Sequence, residues 1–217
     1  MTRNLPVIII GASGHAKVLV NLLNVLGAEI IGLTDMDNTI HGRRILGHTV
    51  LGDDSMISTH RYGTIHLVNG IGSTRPGPVR QEIYNRFSNM GYTFRTCVHP
   101  QAIVSPDTIL PEGVQIMAGA IVQPGCMIGA NSIINTRASV DHDCILGEHV
   151  HIAPGAVLGG TVLVGDGAHI GTGATVIEQI RIGEGAMIAA GACVVRDVEA
   201  GGLVAGVPAK PMGGKSK

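Results

Sequence analysis

The feature that most constrains this 217-residue chain is a sixfold rhythm beginning at Ile103. Written in sixes, the sequence runs IVSPDT, ILPEGV, QIMAGA, IVQPGC, MIGANS, IINTRA, SVDHDC, ILGEHV, HIAPGA, VLGGTV, LVGDGA, HIGTGA, TVIEQI, RIGEGA, MIAAGA, CVVRDV. The second place is aliphatic in all sixteen hexads, from Val104 through Val140 and Ile152 to Val194. The sixth place is small or aliphatic, with Thr108 and Ser132 its polar members. Such a hexad reads as a short strand and a turn, with the second side chain pointing inward and Gly at the third or fifth place easing the turn. One hexad cannot bury its apolar face alone, so coils must stack on one another. Three hexads close a triangular coil of 18 residues, and sixteen make about five coils.

Composition agrees with narrow, repeated layers. Aromatic residues are 2% of the chain, Trp is absent and Gly numbers 32, so the core must be filled by Val, Ile, Leu, Ala and Met. A net charge of −1 with 14% charged residues provides no basic stripe, which argues against a nucleic-acid partner. The N-terminal run MTRNLPVIII is too short for a signal peptide and passes straight into GASGHAK, and no apolar stretch is long enough to span a bilayer. The expectation is a soluble, cytoplasmic protein with no membrane partner. Cys97, Cys126, Cys144 and Cys193 lack CxxC spacing and read as free thiols, with Cys126 and Cys144 in the core.

The first hundred residues follow another grammar. An apolar strand, Val7 to Ile10, meets the turn Gly11-Ala12-Ser13-Gly14-His15-Ala16. A helix follows, with Val18, Leu19, Leu22, Leu23 and Leu26 on one side and a stop at Gly27. Strands at Glu29 to Leu33 and Thr64 to Val68, then a helix from about Arg80 to Met90, complete the pattern. Strands alternating with helices imply a small parallel sheet. The fold class is therefore an α/β N-terminal domain plus a parallel β-helix of hexapeptide repeats. The expected domains are 1–97, 98–198, and a Gly-rich tail over 199–217.

Three groups of residues can carry chemistry. Backbone N–H groups of the Gly11–Gly14 turn, at a helix N-terminus, can hold phosphate. Asp35, 21 residues beyond Gly14, can accept ribose hydroxyls, although the turn is not a full GxGxxG and does not by itself imply a dinucleotide. His142, within Asp141-His142-Asp143, sits at the fourth and outward place of its hexad, where a neighbouring carboxylate makes imidazole a stronger base. That suits removing a proton from an amine or hydroxyl attacking a thioester. His142, His149 and His151 fall on successive hexads and converge on a metal only across a subunit boundary, so no metal is expected.

Taken together, the opening Gly11-Ala12-Ser13-Gly14-His15, the Ile71-Gly72-Ser73 segment, the unbroken hexads, Val140-Asp141-His142-Asp143-Cys144 and the closing Gly206-Val207-Pro208-Ala209-Lys210 resemble a known family. It is the bacterial nucleotide-sugar acetyltransferases of the sialic acid O-acetyltransferase family, which includes enzymes acting on UDP-linked 4-amino-dideoxy sugars and on GDP-perosamine. The resemblance spans nearly the whole chain. It implies left-handed coiling, against the usual crossover preference, and a homotrimer with acetyl-CoA in the groove between subunits. It carries the catalytic base onto His142 and its acidic partner onto Asp143, an Asp where some relatives have Glu. It carries acetyl-CoA contacts onto His151, Thr172 and Ala190, and nucleotide-sugar contacts onto Ser13, Gly14, His15, Asp35 and Gly72. The stretch Ser73-Thr74-Arg75-Pro76-Gly77-Pro78 departs from the commoner Asn-rich continuation, which leaves UDP or GDP and the sugar open. The implied reaction is N-acetylation of the 4-amino group of a nucleotide-linked sugar by direct transfer. Sialic acid O-acetylation, a zinc-dependent hydratase of the γ-carbonic anhydrase type and a purely structural β-helix are the alternatives.

Overall fold

The computed structural model describes residues 5–74 and 76–212. Two compact units emerge, one joining residues up to Gly72 with Pro78–Pro100, the other joining Ser73–Gly77 with the chain from Gln101 onward.

In the first unit, β1 (Val7–Ile10), α1 (Gly14–Val25), β2 (Ile30–Thr34), β3 (Arg44–Ile45), β4 (His48–Gly52), β5 (His66–Asn69), α2 (Val79–Asn89) and β6 (Thr93–Phe94) build one sheet of order β3-β4-β2-β1-β5-β6. All pairings are parallel except the β3–β4 hairpin. Central β1 is buried at all four positions, so it reads as a continuous apolar run without alternation. The helix α1 buries Ala16, Leu19, Val20, Leu22 and Leu23, whereas Val18, expected on that face, is 42% exposed. The buried stripe follows the i, i+3, i+4, i+7 spacing from Ala16, and Val18 points off it. The helix ends where Gly27, at φ +64°, lets Ala28 N–H reach the carbonyl of Leu23. Every aromatic residue of the chain lies between Tyr62 and Phe94, and Phe87, Tyr92 and Phe94 pack in this unit's core with Ile8, Ile57 and Leu67.

The second unit is a left-handed parallel β-helix. Fifteen of the sixteen hexads place a two-residue strand on their first two positions. The exception is ILPEGV, whose Ile109 is 84% exposed. Strands 18 residues apart stack in register, as in the column Ile133, His151, His169, Met187. From Ile116 to Val194 every second-place side chain is buried, while Val104 and Leu110 in the first coil are half-buried. The fifth place lies at the bend and takes the left-handed conformation. Asn131, Arg137, Asp143, His149, Thr161 and Gln179 stand there with φ between 54° and 62°, Gly fills eight other fifth places, and Asp107 and Asp197 are the two that do not adopt it. The tail does not leave the coil at once. Leu203–Ala205 adds a parallel strand beside Met187–Ile188, and Lys210–Pro211 folds back antiparallel on it. Residues 213–217 of the expected tail, 1–4 of the expected first domain and residue 75 lie outside the described residues.

Candidate active site

The turn between β1 and α1 is shaped by close backbone approach. A Cβ on Gly11, at φ +91°, would lie 2.7 Å from Cδ1 of Ile71, and one on Gly70 would lie 2.6 Å from the carbonyl oxygen of Ile10. Ser13 is extended and makes no side-chain cap, and the first turn of α1 carries no acid, so the positive end of the helix dipole lies at this turn. Asp35 Oδ2 accepts from Ala12 N–H at 2.8 Å and Oδ1 accepts from Asp37 N–H at 2.9 Å. Its carboxylate thus holds the turn, leaving one lone-pair site on each oxygen for a further donor. Gly72 backs onto His15, whose Cβ would be 3.0 Å from a Cβ at that position. Ser13, Gly14, His15, Asp35 and Gly72 are therefore gathered around one turn at the C-terminal ends of parallel strands, where ligands of open α/β sheets bind. A 450 Å³ cavity beside it is lined by Ala12, Lys17, Ile40, Arg43, Arg44 and Leu46.

Two residues with no sequence signal of their own hold the neighbouring loop. Arg80 of α2 is buried, and its Nη1 donates to the carbonyls of Asn69 at 2.9 Å and Ile71 at 2.8 Å. Asn69 Nδ2 donates in return to the Arg80 carbonyl at 3.0 Å. Burial lowers the guanidinium to about 9. Each is an ordinary polar residue in the sequence; only the fold makes them partners.

On the β-helix, His142 stands at a corner with its side chain 60% exposed. Asp143, in the left-handed bend at φ 59°, turns its carboxylate back so that Oδ2 lies 2.8 Å from His142 Nδ1. That hydrogen bond raises the imidazole above its ordinary value, and the charges of Asp141, Asp143 and Cys126 add to it. With Nδ1–H donated to Asp143, Nε2 is the basic nitrogen. Directly above, 18 residues on, Gly160 leaves room for the ring: a Cβ there would lie 2.6 Å from Nε2 and Cε1. Gly160 is buried, and its N–H donates to no group among the described residues. The 18-residue offset from His142 is the signal that would have found it. Cys144 is buried, its thiol donates to the Gly159 carbonyl at 3.2 Å, and its contact with Cys126, then burial, push it up, so it stays a thiol.

The remaining site residues lie elsewhere on the coil. His151 is 6% exposed on the face that carries His169, with Nδ1 2.8 Å from Ser73 Oγ and Nε2 3.0 Å from Asn135 Nδ2. The two rings stack edge to face at 4.8 Å, and burial lowers His169 below its ordinary value. Thr172 and Ala190 are exposed fourth-place residues one coil apart on a different corner from His142. Within the chain, then, His142 and the expected acetyl-CoA contacts Thr172 and Ala190 lie at different corners. A 320 Å³ cleft at the end of the coil is lined by Val194, Arg196, Asp197, Val204, Pro208 and Lys210. His149 pairs with Asn131 Nδ2 at 2.9 Å, and among the described residues no group of three or more His, Cys, Asp or Glu is arranged to hold a metal. None of the described helices is long and apolar enough to cross a membrane.

Comparison with known proteins bears on the family and the fold. Residues 6–87 match the PglD N-terminal domain, and residues 128–160 match the bacterial transferase hexapeptide repeats. No curated protein sequence is a significant match. Among solved structures, PerB of Caulobacter crescentus, in complex with CoA and GDP-perosamine, is 39% identical over 96% of this chain and 97% of its own, with a TM-score of 0.89. The acetyltransferase domain of PglB from Neisseria gonorrhoeae, in complex with acetyl coenzyme A, is 35% identical over 95% of this chain and 98% of its own, with a TM-score of 0.88. WeeI from Acinetobacter baumannii, at 24% identity over 96% of this chain and all of its own, shares the fold with a TM-score of 0.77. The chain belongs to the hexapeptide-repeat nucleotide-sugar acetyltransferases, acyltransferases that draw on acetyl-CoA.

Proposed function

We propose that this protein transfers the acetyl group of acetyl-CoA to the 4-amino group of a nucleotide-linked amino-dideoxy sugar, with His142 as general base. The observation that carries the reading is the exposed His142–Asp143 pair, 2.8 Å apart, with the partnerless N–H of Gly160 beside it. His142 Nε2 removes the amine proton as the nitrogen attacks the thioester carbonyl. Asp143 stabilises the imidazolium at Nδ1. Gly160 N–H is the donor suited to the oxyanion of the tetrahedral intermediate. As the C–S bond breaks, the imidazolium returns its proton to the departing thiolate, and the base is regenerated.

The first domain, residues 1–97, binds the nucleotide sugar through Ser13, Gly14, His15, Asp35 and Gly72. Lys17, Arg43 and Arg44 at the adjoining cavity match the negative charge of a diphosphate. Residues 98–198 form the acetyltransferase domain, followed by the tail from 199. Acetyl-CoA contacts fall to His151, Thr172 and Ala190, and Arg196 and Lys210 at the tail cleft suit its phosphates. Because these residues and His142 occupy different corners, the working site needs a neighbouring subunit, in a homotrimer. Exposed aliphatic residues on both faces beside the His142 corner, Val157 at 41% on one and Met127 and Ile145 at 63% and 45% on the other, provide the contact area such packing requires.

The test is thiol release from acetyl-CoA with UDP- and GDP-linked 4-amino sugars, and with free sialic acid in a separate arm. Turnover of a nucleotide 4-amino sugar is expected. Turnover of sialic acid alone would replace the reading with O-acetylation, and no turnover with any acceptor would remove it. Mass measurement by light scattering tests the trimer.

A further inference from the structure

The His142–Asp143 pair lies between two glycines, one coil before and one coil after. Gly160 clears the imidazole, as described. Gly125, 18 residues before Asp143, clears the carboxylate: a Cβ built there would overlap Asp143 Oδ1 outright and stand 3.2 Å from Cγ. Gly125 is itself in the left-handed region at φ +77°, its N–H donating at 2.8 Å to Asp107 Oδ2, while Ser105 Oγ donates to Oδ1 of the same carboxylate. Oδ1 of Asp143 thus fills the notch while Oδ2 faces His142. Gly119 meets the flexible stem of Arg137, with Cγ at 3.3 Å, and no carboxylate. Gly155, at φ +68°, would meet nothing within 4 Å if it carried a Cβ.

We propose that Gly125 is a positioning residue for the reaction: its missing side chain is the slot that lets the Asp143 carboxylate turn toward His142. The inference rests on the reading of His142 as the base. A side chain at position 125 pushes Oδ1 out of the notch, and because the carboxylate is rigid, Oδ2 leaves Nδ1 with it. The groups acting on His142 are Asp141, Asp143 and Cys126; displacing Asp143 removes the first and largest contribution to its raised basicity.

Four variants decide the matter: Gly125→Ala, Asp143→Ala, the double variant, and Gly155→Ala, which carries the same left-handed cost without a neighbour. Acetyl transfer is followed across pH, and the His142 ring is titrated by NMR. Gly125→Ala is expected to lower kcat about tenfold with little change in KM for acetyl-CoA, and to move the His142 titration toward that of Asp143→Ala. In the Asp143→Ala background the same substitution should cost less than twofold. Gly155→Ala should keep the native titration and turnover. If Gly125→Ala leaves the titration unchanged, or lowers kcat as much without Asp143 as with it, the proposal is overturned. Should Gly125→Ala fail to fold, the double variant, which has no carboxylate to strike, is expected to fold. A double variant that remains unfolded while Gly155→Ala folds would make Gly125 a requirement of the coil and refute the proposal. Full activity in His142→Ala would instead overturn the base reading, a separate outcome.

Discussion

His142 and His169 lie on the same β-helix and carry opposite protonation tendencies. His142 occupies a fourth place, at a corner, where the Asp143 carboxylate holds its pKa up. His169 occupies a first place, on a face, where burial beside His151 and Ser73 holds its pKa down. A carboxylate partner and burial separate them, and the hexad position decides which of the two each meets. A corner exposes a side chain and bends the backbone so that the next residue can turn back on it; a face packs the side chain against the column above and below. The raised pKa of His142 thus comes from the carboxylate that the corner bend turns toward it, and the lowered pKa of His169 from its burial on the face.

The largest effect that can break this comparison is on turnover. His142→Ala is expected to lose about 10²–10⁴ in kcat, the usual worth of a positioned proton acceptor, while still assembling; near-normal turnover in steady-state assays would remove the base. Asp143→Ala should cost less. Both side chains are exposed, so solvent shares the hydrogen bond and the loss in kcat should be about tenfold. Because Asp143 raises His142, its loss should also move the acid limb of the pH–kcat profile downward, and a limb that stays in place would sever the pair. Gly11→Ala sharpens the contrast from the other unit. Its strained backbone conformation and the approach to Ile71 predict about 1–3 kcal/mol lost in chemical denaturation, together with weaker nucleotide-sugar binding by calorimetry. The smallest effect concerns His169. Its folded pKa lies below its unfolded value, so its contribution to stability is intact above the unfolded value of about 6.5 and is lost as pH falls through that value toward the folded one. His169→Phe should flatten the acid-side decline in Tm, whereas an unchanged slope would show that another group sets it.

Much of this was legible in the residues. The period of six specified the strands, the inward second place and the outward position of His142, and Gly11, Gly14 and Asp35 marked the turn between β1 and α1. Less legible was ILPEGV, which has the pattern of its neighbours but forms no strand, because the first coil has little stacked beneath it and leaves Leu110 half-buried. Val18 was misplaced since an apolar residue two positions from the stripe is indistinguishable by composition. Arg80, Asn69 and Gly160 carried no signal, and Ser73 counted only as part of a segment, since each meets a partner distant in the chain.

What the sequence determined by itself is whatever repeats locally: coil spacing, core composition without aromatic rings, and the two different grammars of the halves. What tertiary structure decided is which residues 18 apart, or 11 or 78 apart, come to share a few ångströms. The reason is physical. Periodicity encodes the direction of a side chain relative to its own backbone, but hydrogen bonds, pKa shifts and the room left by a glycine depend on neighbours that only the stacked chain supplies.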